Sequence, residues 1–172
     1  MSQYIIENAR IQDLPHIFHL FEKAIAFQKA NGYIGWQDYD KDFIRADVEN
    51  KLLFKLMGNR SKVVGIFCIC YSDVLIWREK EQGDALYLHR IVLDQQFKGE
   101  KIFQQVLDWA IHFAKTNALK YIRMDTWADN AKLINYYQRY GFTFIENYTT
   151  SDTEALPIQH RNLKVALLEY IV

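Results

Sequence analysis

Between Phe97 and Ile102 the chain reads Lys98-Gly99-Glu100-Lys101, a glycine flanked by lysines. It follows the β-favouring run LYLHRIVL, Leu86 to Leu93, and precedes a helical pattern that starts at Ile102. The first amides of a helix have no internal partner and, with the helix dipole, favour an anion. Gly99 lets the backbone come close, and Lys98 and Lys101 add positive charge. A phosphate ester, above all a pyrophosphate, fits such a turn. The plainer alternative is a turn glycine between two solvated lysines. Neither the nucleotide P-loop nor the dinucleotide glycine fingerprint occurs in the chain. Cys68 and Cys70 lie two apart in GIFCICY, which reads as a strand, so both point to one face. A disulfide between them would be strained, and they read as small buried hydrophobes. His16, His19, His112 and His160 show no metal-ligand spacing.

The elements that must position this turn follow from periodicity. QYIIENARI reads as a first strand. Asp13 is the expected N-cap of a helix with Pro15 in its first turn and Leu14, Ile17, Phe18, Phe21, Ala24 and Ile25 at helical spacing. The loop NGYIGWQDYD leads to a short helix over Phe43–Glu49. LLFKLM, a turn at Gly58-Asn59-Arg60 and KVVGIFCICY read as a strand hairpin. Ser72 to Asp84 is a connection with a charged tip. Leu86–Leu93, the helix after it and ALKYIRMDTW form a βαβ unit, so those two strands should be parallel. Asp129 or Asn130 starts another helix, Gly141 caps its end, and FTFIENYT and LKVALLEYIV close the chain as strands.

The chain has 172 residues, enough to bury a core as a single domain over 1–172. Formal net charge is zero, which removes the general basic field expected of a nucleic-acid binder. No apolar stretch is long enough to span a membrane, and MSQYIIENAR lacks signal-peptide architecture, so a cytoplasmic protein is expected.

Asp129 to Phe142, DNAKLINYYQRYGF, resembles the C-terminal signature of the GNAT N-acetyltransferase superfamily. Asn130, Leu133, Tyr137, Gly141 and Phe142 fall at its spacing. The lysine-flanked turn resembles that family's acyl-CoA loop, V-x-P-x-[YF]-[RQ]-x-x-G-x-[GA]. Leu93 takes the Val position, Gln95 the Pro, Phe97 the aromatic and Lys98 the Arg/Gln. Lys101 stands where the family's most characteristic glycine is usual, and Phe103 where Gly or Ala is usual. A lysine at 101 can hold helical dihedrals and still offer its amide.

The resemblance implies an α/β (α+β) fold. Its mixed, mostly antiparallel sheet has six to seven strands, a central parallel splayed pair, and helices on both faces. It implies acetyl-CoA as co-substrate and no metal. Ile91, Val92 and Leu93 would run along the pantetheine arm. Lys98, Gly99, Glu100, Lys101, Ile102, Phe103 and Gln104 would hold the pyrophosphate, and Asn130 would contact the cofactor. Tyr137 matches the general acid that protonates the departing thiolate. Asp125 and His89 are the two candidates for the base that an alkyl ammonium requires. Tyr33, Trp36 and Tyr39 would line the acceptor pocket, with Asp38 and Asp40 as ammonium partners. The acceptor would be a small-molecule amine or a protein N-terminus, by direct attack in a ternary complex. The apolar closing strand allows a homodimer; neither nucleic acid nor membrane is an expected partner. The alternative is a non-catalytic acyl-CoA-binding or sensing module, prompted by Lys101 and Phe103.

Overall fold

A computed structural model describes residues 4–58, 62–97 and 101–172. Among them the chain runs β1 (Ile5–Asn8), α1 (Leu14–Ala30), α2 (Lys41–Glu49), β2 (Leu53–Met57), β3 (Val63–Cys70), α3 (Val74–Trp77), β4 (Ala85–Leu93), α4 (Ile102–Thr116), β5 (Tyr121–Trp127), α5 (Ala131–Gln138), β6 (Thr143–Thr149) and β7 (Lys164–Ile171). The seven strands form a mixed, mostly antiparallel sheet with one parallel pair, as the βαβ reading requires. The chain divides into two compact units, Met1–Ile69 with Arg90–Trp109, and Cys70–His89 with Ala110–Val172.

In the first unit the strand order is β1-β2-β3-β4, with β1–β2 and β2–β3 antiparallel. Leu14, Ile17, Leu20 and Phe21 form the buried stripe of α1. They share one core with Ile44 and Val48 of α2 and with Leu53, Ile66, Cys68 and Val92 of the strands. Asp13 precedes α1 as expected, but its carboxylate does not cap that helix. It accepts the Arg10 amide (2.8 Å) and pairs with the Lys55 ammonium (2.9 Å), because a buried lysine needs an anion more than an exposed helix end needs a cap. Helix α2 begins at Lys41, two residues before the expected Phe43, because the Asp40 carboxylate accepts the amides of Asp42 and Phe43. Gly65 permits a close approach: a Cβ there would lie 2.8 Å from Leu93 Cδ2 and 3.0 Å from the Val92 carbonyl oxygen. Part of the expected hairpin turn, Asn59 and Arg60, lies outside the described residues.

In the second unit the order is β4-β5-β7-β6. β4 and β5 pair in parallel, and β7 is antiparallel to both of its neighbours. The apolar run of β7 is explained by this interior place, with Val165 to Leu168 fully buried. The Ser72–Asp84 connection contains the unexpected helix α3, whose Trp77 is fully buried. The Arg123 guanidinium lies 4.7 Å from the Trp77 ring, donates to the Lys80 carbonyl (2.7 Å) and pairs with Glu169 (2.8 Å). That contact fixes the segment on the strands. The Ser72 hydroxyl closes the same segment by donating to Glu81. β5 starts at Tyr121 because Ala118, at φ +55°, turns the chain out of α4. Helix α5 stops at Gln138, before the expected Gly141, which takes φ +95° in the turn beyond.

Candidate active site

In the first unit, Lys98, Gly99 and Glu100 of the lysine-flanked turn lie outside the described residues. The flanks are informative. Lys101 has φ +52°, so it adopts the left-handed backbone natural to glycine and not the helical dihedrals expected of it. α4 then begins at Ile102, and the Gln104 amide bonds to the Lys101 carbonyl at 3.0 Å. Ile102 and Phe103 are buried, so at the helix start they offer only backbone to a ligand. The Gln104 side chain donates to Asp108 one turn on (2.8 Å). A long helix with a left-handed residue at its entry and an exposed lysine beside its first amides fits an anionic ligand.

Upstream, Val92 is buried, while Ile91 and Leu93 are half-buried. The turn after β4 is tied down by Asp94, which accepts the Gln96 amide (3.0 Å) and pairs with Lys23 (3.2 Å). Burial opposes its charge, yet these partners hold the Asp94 carboxyl below the usual carboxylate range. The Lys62 ammonium sits 4.9 Å over the Phe97 ring.

The three aromatic acceptor candidates also belong to this unit. Tyr39 stacks on Phe21 at 5.1 Å and donates its hydroxyl to Glu22 (2.7 Å). Trp36 lies 5.2 Å from the same Phe21, while Tyr33 stays exposed, edge-on to Phe27. Trp36 and Tyr39 therefore pack against the core. Asp38 and Asp40, expected as ammonium partners, hold backbone amides: Asp38 that of Tyr39, Asp40 those of Asp42 and Phe43. The cation over these rings is Lys41, 5.1 Å from Phe18 and 5.6 Å from Tyr39.

In the second unit, the parallel register ends at Leu88 opposite Met124. His89 and Asp125 are the next residue on each strand, and partners at one level of a ladder share a face. The His89 Nδ1 and Asp125 Oδ1 atoms are 3.6 Å apart. The two candidate bases are thus neighbours. At Arg90 β4 turns through φ +48°, immediately after His89. The other imidazole nitrogen, Nε2, faces Asp73 Oδ2 at 3.2 Å. All three side chains are at least nine-tenths buried. Burial opposes a charge on His89, but Cys70 and Asp73 outweigh it and lift the imidazole well above its ordinary 6.5. Asp73 escaped the sequence reading. Ser-Asp before the apolar VLIW is a helix-start signal, but nothing local reveals that this carboxylate turns to His89.

Tyr137, on α5, is buried, with its ring 6.3 Å from Phe142. Burial, and next the Asp125 carboxylate, push its phenol upward, so it stays protonated at neutral pH. Asn130 is the N-cap of α5, its Oδ1 accepting the Leu133 amide at 3.1 Å. Asn130 and Tyr137 stand seven residues apart at the spacing read from the sequence, one fixing the start of the helix and the other buried near its end.

The sequence pattern of the acetyltransferase (GNAT) family matches residues 14–142, most of the chain. The chain belongs to that family. A curated uncharacterized N-acetyltransferase of Bacillus subtilis is 33% identical over 76 residues, covering 42% of this chain and 41% of the relative. Another, from Methanocaldococcus jannaschii, is 24% identical over 147 residues, 83% of this chain and 62% of the relative. The chain therefore spans less than two thirds of either curated relative. A GNAT family acetyltransferase structure from Listeria monocytogenes superposes with TM-score 0.79 at 20% identity, covering 98% of this chain and 95% of that one. This last likeness establishes the fold. Among the described residues no helix is long and apolar enough to cross a membrane.

Proposed function

We propose that this chain moves the acetyl group of acetyl-CoA to a primary amine by direct attack, with Tyr137, Asp125 and His89 serving the reacting groups. Acetyl-CoA supplies the thioester that is cleaved. The observation that carries the reading is the buried Tyr137 phenol under the influence of Asp125, which itself faces His89 where the parallel ladder ends.

Magnitudes set the roles. A CoA thiol titrates near 8.5, and the Tyr137 phenol lies above its ordinary value of about 10. Full proton transfer from phenol to thiolate is therefore uphill. Tyr137 donates a hydrogen bond to the departing sulfur and keeps its proton. On the amine side, His89 is lifted and stays charged near neutrality, so it is not the first proton acceptor. Asp125 takes that part. Leaving a proton from an ammonium of about 10.4 on a carboxylate of about 3.9 costs about 9 kcal/mol; delivering it to water at pH 7 costs about 5 kcal/mol. Asp125 thus accepts the proton transiently and hands it to water. The start of α4, with Lys101, holds the pyrophosphate through backbone amides and charge. The half-buried Ile91 and Leu93 flank the pantetheine arm.

The non-catalytic alternative rests on Lys101 and Phe103. Lys101 keeps the glycine-like backbone, and Phe103 turns its ring into the core. Both facts support a loop that takes the cofactor in either reading; the buried Tyr137 phenol and the Asp125–His89 pair favour the enzyme. The test is CoA-thiol release from acetyl-CoA across a panel of amines and peptide N-termini. Tyr137→Phe should lower kcat by about 100- to 1000-fold and leave acetyl-CoA affinity within about twofold. Equal rates in the two proteins would remove Tyr137 from the reaction. Binding without turnover would favour the sensing module.

A further inference from the structure

Asp73 is the N-cap residue of α3, yet its side chain makes no capping bond. An aspartate there ordinarily accepts an amide of the first turn. Instead Oδ2 lies 3.2 Å from His89 Nε2, with no aligned hydrogen-bond donor among the described residues. The side chain is 9% exposed. A carboxylate that gives up its cap and enters a buried site must be compensated there. His89, with Asp125 on its other nitrogen, supplies the compensation.

We propose that Asp73 is a positioning residue for the transfer reaction, holding His89 as the cation that keeps the buried Asp125 ionised. The inference rests on the acetyl-transfer reading. Burial, with 6% of the Asp125 side chain exposed, opposes its charge, and a protonated carboxyl cannot take a proton from an amine. An imidazolium alongside counters that effect. Asp73 secures the imidazolium at the shorter of its two carboxylate contacts; without it the charge would rest on Cys70 and on Asp125 at 3.6 Å. The groups around His89 are Cys70 at the end of β3, Asp73 before α3, Asp125 on β5 and the buried His160, whose ring is 6.3 Å away. Cys70 and the two carboxylates favour the cation. A second imidazole at that distance favours it only while neutral.

Asp73, His89 and Asp125 also offer ligand atoms within 4.8 Å of one another, a spacing that would suit a metal ion. The imidazole, however, turns a different nitrogen to each carboxylate. Each ring nitrogen has its own nearest carboxylate, the arrangement that a doubly protonated imidazole satisfies.

The experiment is a nitrogen-detected NMR titration of the histidine rings in the whole chain, wild type against Asp73→Asn, with acetyl-transfer profiles in parallel. In the wild type His89 should remain charged past neutral pH. Asp73→Asn should lower its titration by about one to three pH units, the effect of one adjacent opposite charge. Asp125 should then hold its proton to higher pH, so the acid limb of kcat should move up, with KM for acetyl-CoA within about twofold. Asp73→Glu should restore both. If Asp73→Asn folds poorly, Asp73→Ser, which retains a capping side chain, replaces it. Identical His89 titration in wild type and variant overturns the proposal, as does an unmoved kcat limb. Stoichiometric capture of added Zn²⁺ by the wild-type ring overturns it in favour of a metal site. A chain that releases no CoA thiol with any amine, yet shows the NMR shift, sinks the transfer reading alone and leaves the hold of Asp73 on His89 supported.

Discussion

Lys101→Gly should stabilise this protein, although it deletes a long side chain. At φ +52° the Lys101 Cβ crowds its own backbone, which costs a non-glycine residue about 1–2 kcal/mol. Glycine relieves that cost but loses more backbone freedom on folding, about 0.5–1 kcal/mol. The difference is a net gain of about 0.5–1 kcal/mol. The residue is exposed, so little packing is lost with the side chain. For a chain of 172 residues a gain of about 1 kcal/mol raises Tm by about 2–4 °C. Lys101→Ala is the necessary control, because it removes the same charge and keeps the Cβ. Urea unfolding at neutral pH separates the two: glycine should exceed alanine in midpoint at equal m-value. Equal stability of the two variants, or a glycine variant below wild type, would show that the left-handed backbone at this position is not the source of strain. The same pair reads function. Both lose the lysine charge, so a difference in acetyl-CoA affinity between them reports the backbone of the loop.

Three further outcomes follow from geometry. Gly65→Ala should cost about 1–3 kcal/mol in chemical denaturation, because the new methyl would meet the Val92 carbonyl at 3.0 Å and Leu93 Cδ2 at 2.8 Å. Burial disfavours the Asp13 anion, but Lys55 and the Arg10 amide outweigh it and hold the carboxyl below its ordinary value. The resulting stability, about 1.5–3 kcal/mol for a hydrogen-bonded charge pair, is fully present above about pH 4 and lost as pH falls through the lowered value. The gap between wild type and Asp13→Asn should therefore close in acid and stay constant from pH 5 to 7. Burial pushes the Cys68 thiol up to about 12, whereas Cys70 is half-buried. A disulfide reagent at pH 8 should label Cys70 in the native protein and reach Cys68 only on unfolding. Native labelling of Cys68 at the unfolded rate would contradict its burial.

The element order was legible because each element carries its own period: the α1 stripe, the paired apolar strands, and the strand–helix–strand run that demanded a parallel pair. The Asn130–Tyr137 spacing was legible for the same reason, since both lie on one local helix. Side-chain destinations were less so. Asp13 and Asp40 look alike as helix-start residues, yet Asp40 caps and Asp13 turns to Lys55, a residue on another element. Asp73 repeats the lesson, because its partner His89 lies on the following strand. Lys101 differs in kind: its left-handed backbone is imposed by the path into α4, and the side chain there gives no hint of it.

The agreement of His89 with Asp125 depends on counting along two strands. One residue gained or lost between Ala85 and His89 would turn the imidazole to the opposite face while β5 stayed in place. Replacing a residue within that ladder disturbs only its neighbours. Strand length is therefore the stricter constraint on this pair, and the identity of the side chains along the ladder the looser one. The Ser72–Asp84 segment is under no such count. It is anchored by the contact between Trp77 and Arg123, so Asp73 keeps its place without depending on the strand register.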